Sequence, residues 1–361
     1  MLVVGAGLAG LVVAERLSNE LGKQCLVVDR RNHIGGNAYD YNDEAGVLVH
    51  KYGPHLFHTN SDQIFKYLSR FTEWLPAVFN AKSFTDGRYW SFPINLQTFE
   101  EVLGRPSTTE EMEDYLTKNK VPISFPKNSE EAIISQVGWE LYEMFYKGYT
   151  TKQWNRHPKD LDASVCSRIP IRTTRNDLYF NDKYQVMPLH GYTNMFLNML
   201  NPRITVLLDV DYRDLKVDKK FTVYTGPIDE FFDYTYGSLP YRSLRFEFDT
   251  MRCNFWQPTF MVSYPNSEKF TRIVEIKHVT GQKIDCTTIV REYPENYEVG
   301  KEAYYPIPAV DSAAIYKRYK ELALSRQDVA FVGRLARYTY INMDQTVGMA
   351  LSEFERLRRF L

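Results

Sequence analysis

The 361-residue sequence lacks the features that mark several protein classes. Its four cysteines stand far apart with no Cys-x-x-Cys pair, which argues against a zinc site and against a disulfide framework. This cysteine usage fits a reducing, cytoplasmic compartment. The net charge is only −1 and the basic residues are dispersed, so we expect no nucleic-acid partner. No run reaches the ~20 apolar residues of a membrane span, so we expect no membrane segment. Repeats and low-complexity linkers are also missing.

A glycine motif stands in the layout that an adenine dinucleotide needs. Gly5, Gly7 and Gly10 follow the apolar run 2–4 and open a helical stretch, and a second apolar run, 25–28, ends in Asp29. The glycines let backbone approach a pyrophosphate, the helix N-terminus faces its charge, and the acid can accept from ribose hydroxyls. The pattern predicts a Rossmann-like cofactor domain. A chance glycine turn is the alternative.

A second glycine pair, Gly35-Gly36, follows shortly after Asp29. In the flavin-binding class of this fold, such a pair lets the backbone pack against the dinucleotide. This class resemblance favours FAD over NAD, whereas an ordinary turn is the alternative.

The rest of the chain divides by its periodicity. Helical spacing predicts helices at 98–103, 108–118 and 129–146, with Trp139 and Tyr142 in a core, and a further helix from Gln345 onward. Strand patterns fall at 221–224, 245–248, 260–264, 272–277, 287–292 and 329–332. We therefore expect an α/β protein with a discontinuous Rossmann-like FAD-binding domain, a helical insert and an antiparallel β-sheet domain. The expected boundaries are 1–73, 187–226 and 308–361 for the FAD-binding domain, 97–165 for the helical insert, and 74–96, 172–186 and 227–307 for the sheet domain.

Sequence blocks along nearly the whole chain resemble those of UDP-galactopyranose mutases, in the same order. They include His33-Ile-Gly-Gly-Asn-Ala, His50-Lys-Tyr-Gly-Pro-His55-Leu-Phe-His58-Thr, Lys147-Gly-Tyr149-Thr-Thr-Lys-Gln-Trp154, Arg168-Ile-Pro, Tyr179-Phe-Asn-Asp-Lys-Tyr-Gln, Tyr224-Thr-Gly-Pro, Glu292-Tyr-Pro and Tyr304-Tyr-Pro306. So many ordered blocks discriminate far better than the glycine motif alone, and on them the chain is identified as a member of this family.

The resemblance implies a flavoenzyme that interconverts the pyranose and furanose forms of a nucleoside-diphosphate hexose, UDP-galactose first, with no net redox change. In the family, N5 of reduced FAD attacks the anomeric carbon, the diphosphate departs, and an N5-sugar adduct forms. The resemblance further implies an external reductant such as NAD(P)H, a homodimer, and a role in cell-surface polysaccharide or glycoconjugate biosynthesis.

The resemblance also assigns site residues. Arg168 and Arg272 match the diphosphate-binding arginines, and Arg168 is expected on a mobile flap over about 161–171 that excludes water. His55 and His58 are placed beside the flavin, with His58 near the sugar. Their spacing also suits metal ligands, but no nearby Glu or Cys completes a set and the family has no metal. The residues expected to contact substrate are Asn80, Phe145, Tyr149, Thr150, Trp154, Tyr179, Phe180, Ser263, Tyr305, Tyr340 and Asn342. Those expected to contact the cofactor are Gly5, Gly7, Leu8, Ala9, Gly10, Asp29, Arg30, Gly36, Asn37, His55, Leu56, Arg334, Met343, Asp344 and Gln345.

The chain departs from the family pattern at a few positions. Asn342 stands where familiar members have an acid, and Arg337 where Glu is common. The strand that usually supplies an asparagine to the uracil reads Met261-Val-Ser263. A GDP-hexose or another nucleotide sugar is therefore an open alternative. A flavin amine oxidase or desaturase, and a non-catalytic flavoprotein or nucleotide-sugar binding module, are lower-ranked alternatives.

Overall fold

The computed structural model describes residues 1–360. Its strands are β1 Leu2–Val4, β2 Cys25–Val28, β3 Asp40–Asn42, β4 Leu48–His50, β5 Phe57–Thr59, β6 Trp74–Pro76, β7 Ala81–Thr85, β8 Arg88–Phe92, β9 Tyr184–Pro188, β10 Ile204–Leu207, β11 Thr222–Tyr224, β12 Tyr241–Met251, β13 Met261–Ser263, β14 Arg272–Val274, β15 Thr287–Asn296, β16 Tyr305–Pro306 and β17 Val329–Phe331.

The helices alternate with these strands or are inserted between them. They are α1 Leu8–Leu21, α2 Asp62–Leu68, α3 Leu96–Leu103, α4 Thr109–Asn119, α5 Ser129–Tyr142, α6 Gly148–Trp154, α7 Ser164–Ser167, α8 Gly191–Asn198, α9 Ile228–Phe231, α10 Lys277–Thr280, α11 Val310–Ser325 and α12 Met343–Leu357, and a π-helical turn, Glu143–Lys147, joins α5 to α6. None of the helices of residues 1–360 combines the length and the apolar character needed to cross a bilayer.

A parallel sheet in the order β10-β2-β1-β11-β17 forms the nucleotide-binding half. Its short apolar strands are buried because helices cover the sheet, as parallel sheets require. Helix α1 packs on α12, with Leu11, Val12 and Leu17 in the same core as Val347 and Phe354. The strands come from separate stretches of chain, so the Rossmann-like domain is discontinuous, as the sequence predicts. The individual domain boundaries stay predictions.

The second large sheet has the order β16-β12-β15-β14-β13-β7-β8. Its pairs are antiparallel except β13 with β7, which run parallel. Parallel neighbours need a long crossover, and here the crossover from β7 to β13 contains the helical insert. The sheet is therefore mixed at this one pair, which the strand pattern alone does not reveal. Strands β7 and β8 are joined by Asp86-Gly87, whose φ values of 52° and 76° suit a two-residue hairpin turn.

The helical insert corrects one prediction. Trp139 is 49% exposed, although its spacing predicts a core position. The cause is Gly138, which adopts φ 79° and ψ −178° and breaks the helical register within α5. A Cβ on Gly138 would lie 2.5 Å from the carbonyl oxygen of Asn119, so this close packing requires glycine. Tyr142 is fully buried, as predicted.

Candidate active site

A long cleft runs along the carboxyl ends of the parallel strands, where ligands bind in this class of fold. The volume of the cleft, with its open mouth included, is about 1210 Å³. The residues that line it are Val4, Gly5, Gly7, Leu8, Ala9, Val28, Asp29, Arg30, Arg31, Gly35, Gly36, Asn37, Ala38, His55, Val210, Asp211, Tyr212, Tyr224, Thr225, Gly226, Pro227, Glu230, Glu302, Gly333, Arg334, Leu335, Met343 and Thr346. The N-terminus of α1 opens into this cleft without a side-chain cap, so its amide groups can bind an anion.

Two backbone segments approach each other closely in the cleft, and a side chain at these glycines would collide with the neighbouring backbone. A Cβ on Gly10 would lie 2.0 Å from the carbonyl oxygen of Gly5, and one on Gly36 would lie 2.9 Å from the Cα of Gly7. Gly5 itself has φ 106°, in the region that side chains disfavour. These contacts shape a cradle that fits the pyrophosphate of a dinucleotide.

Asp29 stands at the end of β2 and is held in place by two backbone amides. Its Oδ2 accepts from the amide of Ala6 at 2.8 Å, and its Oδ1 accepts from the amide of Arg31 at 2.9 Å. Carboxylate oxygens have further lone pairs, so ribose hydroxyls can still donate to this group. Arg30 and Arg31 are paired with Glu230 and Glu302, which keeps both cations at the cleft wall.

A second group of side chains continues from this cleft and combines arginines with tyrosines. The guanidinium of Arg168 lies over the ring of Tyr340, with Cζ 4.4 Å from its centroid. Arg334 lies 5.3 Å and 5.9 Å from the centroids of Tyr305 and Tyr340. Its Nη2 donates to the carbonyl of Ile341 at 2.8 Å. Arg168 has protein on most sides, yet its side chain remains accessible to solvent.

Arg272 is held by Glu292 on the neighbouring strand. Nε and Nη2 donate to the two carboxylate oxygens at 2.9 and 2.8 Å. Burial opposes ionisation, but the Glu292 carboxylate outweighs it and holds the pKa of Arg272 well above its usual value. Among residues 1–360, the sulfur of Met261, at 3.7 Å, is the only hydrogen-bond partner of Nη1, so this nitrogen can bind a ligand.

The tyrosines of this cluster are neutral donors. Burial raises the pKa of Tyr305 to about 12, and it raises the pKa values of Tyr149 and Tyr179 as well. Around Arg168, burial opposes ionisation, but Tyr340 and Tyr179 keep the pKa of Arg168 above its usual value. The cluster therefore has fixed positive charge and protonated hydroxyls, a combination that binds phosphate oxygens.

Helix α6 lies beside the arginine and tyrosine cluster, since its Trp154 ring contacts Tyr305 and Tyr340. Tyr149 is half-buried and Trp154 is buried, with the Trp154 ring 5.4 Å from Tyr340 and perpendicular to it. Gly148 lets the helix approach the β13–β14 turn, since a Cβ there would lie 2.3 Å from the carbonyl oxygen of Pro265.

Lys152 fastens α6 to the same turn. Its ammonium donates to the carbonyl of Tyr264, to that of Glu268 at 2.8 Å and to that of Phe270 at 3.1 Å. Burial lowers the pKa of Lys152 to about 8. The helix and the strands of Ser263 and Arg272 are thereby held as one unit.

The two histidines differ in their surroundings. His55 lines the dinucleotide cleft, and its Nδ1 contacts the carbonyl of Gly53 at 2.8 Å. Burial lowers the pKa of His55 to about 3, with smaller effects of His50, Arg334 and Arg272, so the ring is neutral at physiological pH. His58 stacks on Phe180, with ring centroids 3.6 Å apart.

Two models of protein families match the chain. The model described as UDP-galactopyranose mutase matches residues 144–340, and the model described as NAD(P)-binding Rossmann-like domain matches residues 3–71. A Klebsiella pneumoniae protein named "Probable UDP-galactopyranose mutase" is 36% identical over 357 residues, which are 97% of this chain and 92% of that protein. The chain belongs to the UDP-galactopyranose mutase family. Membership makes it a nucleotide-sugar mutase, which is an isomerase.

Two further comparisons extend this assignment. An Escherichia coli protein named dTDP-fucopyranose mutase is 33% identical over 363 residues, 97% of this chain and 96% of that protein. A solved structure titled "Crystal structure of reduced UDP-Galactopyranose mutase" superposes with a TM-score of 0.77 at 15% identity, covering 100% of this chain and 94% of the other. This structure shares the fold.

The structure places most of the site residues predicted from sequence in the dinucleotide cleft or in the neighbouring arginine and tyrosine cluster. Those that line the dinucleotide cleft are Gly5, Gly7, Leu8, Ala9, Asp29, Arg30, Gly36, Asn37, His55, Arg334 and Met343. Gly10 lies beneath it, against Gly5. Leu56 is buried in the core, and Asp344 and Gln345 belong to the capped start of α12, where the Gln345 side chain accepts from the amide of Asn342.

Other residues that the sequence predicts to contact substrate differ in burial. Phe145 and Thr150 are buried, and the Phe145 ring lies near Trp90 and Phe92. Asn80 is exposed beside the Tyr179 segment, with which it forms an isolated bridge at Leu178. Ser263 is buried on β13 and pairs with Arg272 on β14. Their roles toward substrate stay predictions.

Sequence reasoning missed several residues of the site. Thr225, Gly226 and Pro227 line the cleft, and their signal was available, because they directly follow a buried strand of the parallel sheet. Glu292 and Asp182 were missed because their partners, Arg272 and His58, lie far away in the sequence.

Proposed function

We propose that this chain is an FAD-dependent mutase that interconverts the pyranose and furanose forms of a nucleoside-diphosphate hexose. One observation carries the proposal. Arg168, Arg272 and Arg334 converge beside the dinucleotide cleft, and among residues 1–360 only Glu292 forms a carboxylate pair with any of them. A net positive site of this kind needs an anionic ligand such as a diphosphate.

The residues present fit a flavin dinucleotide. The uncapped N-terminus of α1 and the glycine cradle suit its pyrophosphate, Asp29 suits its ribose, and His55 and Arg334 line the same cleft. When bound and reduced, a flavin supplies a nucleophilic N5 for the anomeric carbon of the sugar. The cation of Arg334 would stabilise negative charge on the reduced flavin. We propose NAD(P)H as the class of reductant.

The chain's own residues would bind the diphosphate and stabilise it as it leaves the sugar. Arg272 is oriented by Glu292 and offers its remaining Nη1 hydrogens, and Arg168 lies opposite on Tyr340. Fixed donors of this kind lose nothing to reorganisation when charge develops. Tyr179, Tyr305 and Tyr340 would add neutral hydroxyl donors, since burial keeps the first two protonated.

The nucleobase would lie beside α6. The half-buried Tyr149 and the buried Trp154 provide aromatic surface there, and Lys152 holds α6 against the strand of Ser263. In the closed site, we propose that residues 161–171 act as a lid that carries Arg168.

UDP-galactose is the first substrate that we propose. Because the strand Met261-Val-Ser263 lacks the asparagine that the family resemblance leads us to expect, and one relative is named dTDP-fucopyranose mutase, a dTDP-hexose is the second candidate and a GDP-hexose the third. The test is to incubate dithionite-reduced enzyme with UDP-, dTDP- and GDP-hexoses and to separate furanose products by chromatography. Conversion of one of them supports the proposal, whereas binding without conversion of any would contradict it.

We further propose a cytoplasmic homodimer that supplies furanose donors for cell-surface polysaccharide or glycoconjugate synthesis. The dispersed cysteines support a reducing compartment, and the chemistry of an activated sugar supports a biosynthetic role. Sedimentation of the purified protein would test the dimer.

A further inference from the structure

His58 is held by a chain of hydrogen bonds that ends at the backbone. Its Nδ1 lies 2.9 Å from Oδ2 of Asp182. The other carboxylate oxygen of Asp182 accepts from Nδ2 of Asn60 at 2.8 Å, and Oδ1 of Asn60 accepts from the backbone amide of Lys183 at 2.9 Å. Stacking on Phe180 fixes the plane of the imidazole. The backbone amide of Lys183 can only donate, so Oδ1 of Asn60 must accept. This fixes which group donates and which accepts at every other hydrogen bond in the series.

This arrangement determines the tautomer of His58. An ionised carboxylate only accepts hydrogen bonds, so Nδ1 must carry the proton and a neutral ring keeps its lone pair on Nε2. Among residues 1–360, Nε2 of His58 has no hydrogen-bond partner, and it is not sealed from solvent as Nε2 of His50 is. The side chain is 11% exposed beside Phe180 and Tyr179. Nε2 is thus a free proton acceptor on a ring that stacks on Phe180, which in turn contacts Tyr179 of the arginine and tyrosine cluster.

The proposed reaction needs such a group. A hexopyranose closes through O5 and a hexofuranose through O4, so the conversion exchanges the C1–O5 bond for a C1–O4 bond and moves one proton from O4 to O5. We propose that His58 carries this proton and that Asp182 is the residue that positions it, an inference that rests on the proposed mutase function. As the C1–O5 bond breaks, O5 keeps the electron pair and takes the proton from Nε2 of the imidazolium. As O4 bonds to C1, it gives its proton to the neutral Nε2, which restores the imidazolium. Nδ1–H stays on Asp182 throughout, and no electrons are gained or lost.

The test begins with the Asp182→Asn variant of the FAD-loaded protein. The Asn60 amide must still find an acceptor, so the new carbonyl faces Asn60 and the new NH₂ faces Nδ1 of His58. The ring must then carry its proton on Nε2, the wrong atom. ¹⁵N NMR of histidine-labelled protein, at a pH where the ring is neutral, should show Nδ1–H in the wild type and Nε2–H in this variant. We expect kcat to fall by about 10- to 100-fold with little change in KM. Flavin content confirms that the variant folds.

A double variant separates positioning from a general structural role. With Asn60→Asp added to Asp182→Asn, the carboxylate at position 60 accepts from the new NH₂, the new carbonyl faces Nδ1, and the original tautomer and most of kcat should return. Asp62→Asn is the matched control, because Asp62 binds Lys183 and Tyr184 of the same segment without touching His58. A wild-type kcat in Asp182→Asn, or a double variant that regains the tautomer but not kcat, would overturn the proposal. If the wild type converts no nucleotide sugar, the proposed function fails instead, and the NMR result still reports the tautomer.

Discussion

Glu292 grips Arg272 through both carboxylate oxygens, at 2.8 and 2.9 Å, while its own side chain is only 1% exposed. The pair lies between strands β14 and β15 and leaves Nη1 of the arginine for a ligand. Because this carboxylate is buried, we expect Arg272 to stabilise the fold as well as to bind ligand. Separating the two roles is the first prediction.

Arg272→Ala should lower the free energy of unfolding by about 3–5 kcal/mol, because it leaves a buried, uncompensated carboxylate. Adding Glu292→Gln to Arg272→Met should restore most of that stability, since both charges are then removed. Activity should stay about 10²- to 10³-fold low in kcat/KM for both variants, because the phosphate contact is missing. Urea unfolding and steady-state rates measure the two effects. A double variant with wild-type kcat/KM would show that Arg272 serves only the fold.

Arg168 differs from Arg272, since its side chain is exposed to solvent and has no carboxylate partner among residues 1–360. Arg168→Ala should hardly change stability but should lower kcat/KM by about 10²- to 10³-fold. Arg168→Lys should restore part of it, because lysine keeps the charge but not the two-point fork. Arg175→Ala is the control, as Arg175 pairs with Glu100 at an exposed site. Equal effects at Arg168 and Arg175 would contradict this placement.

Gly10 lies against Gly5 beneath the glycine cradle. Gly10→Ala should abolish or strongly reduce flavin binding, because its Cβ would lie 2.0 Å from the carbonyl oxygen of Gly5 and displace the loop. Gly348→Ala, in helix α12, meets only Ile64 at 3.4 Å and should keep its flavin. A gain of about 0.5–1 kcal/mol in stability is expected there. Flavin absorbance per mole of purified protein measures both, and full loading of Gly10→Ala would refute the prediction.

His50 makes stability depend on pH. Burial lowers the pKa of His50 to about 3, and its Nδ1 accepts from the amide of His55 at 3.0 Å. Its Nε2 lies 4.0 Å from Asp40, too far for a hydrogen bond, and we conclude that the buried ring is neutral rather than ion-paired. The unfolded chain takes up this proton near pH 6.5, so between pH 6.5 and 3 the unfolded state binds more protons and the free energy of unfolding falls as pH falls.

His50→Asn removes that titration while keeping an acceptor for the His55 amide. The slope of unfolding free energy against pH, from urea titrations between pH 6.5 and 4.5, should become shallower by about 1.4 kcal/mol per pH unit. An unchanged slope would mean that His50 is already charged in the folded protein.

Local patterns predicted much of this structure, and their failures have identifiable causes. The run from Gly5 to Asp29 predicted the dinucleotide cleft, because strand, turn and helix there are set by neighbouring residues. The helical pattern around Trp139 gave a wrong prediction because of Gly138. Its positive φ changes the direction in which the side chains after it point. The pairing of His58 with Asp182 depends on the pairing of β5 with β9. The helical insert separates these two strands in the sequence, so no local pattern predicts that they are neighbours.

The proposed mechanism requires a reduced flavin that acts on a nucleotide sugar held by these arginines. The most direct measurement compares conversion of UDP-galactopyranose, dTDP-hexopyranoses and GDP-hexopyranoses by the same preparation with oxidised and with dithionite-reduced flavin, under anaerobic conditions. We predict furanose product from at least one of these sugars with the reduced enzyme and almost none with the oxidised enzyme. Equal rates in the two states, or no product in either, would contradict the proposed mechanism.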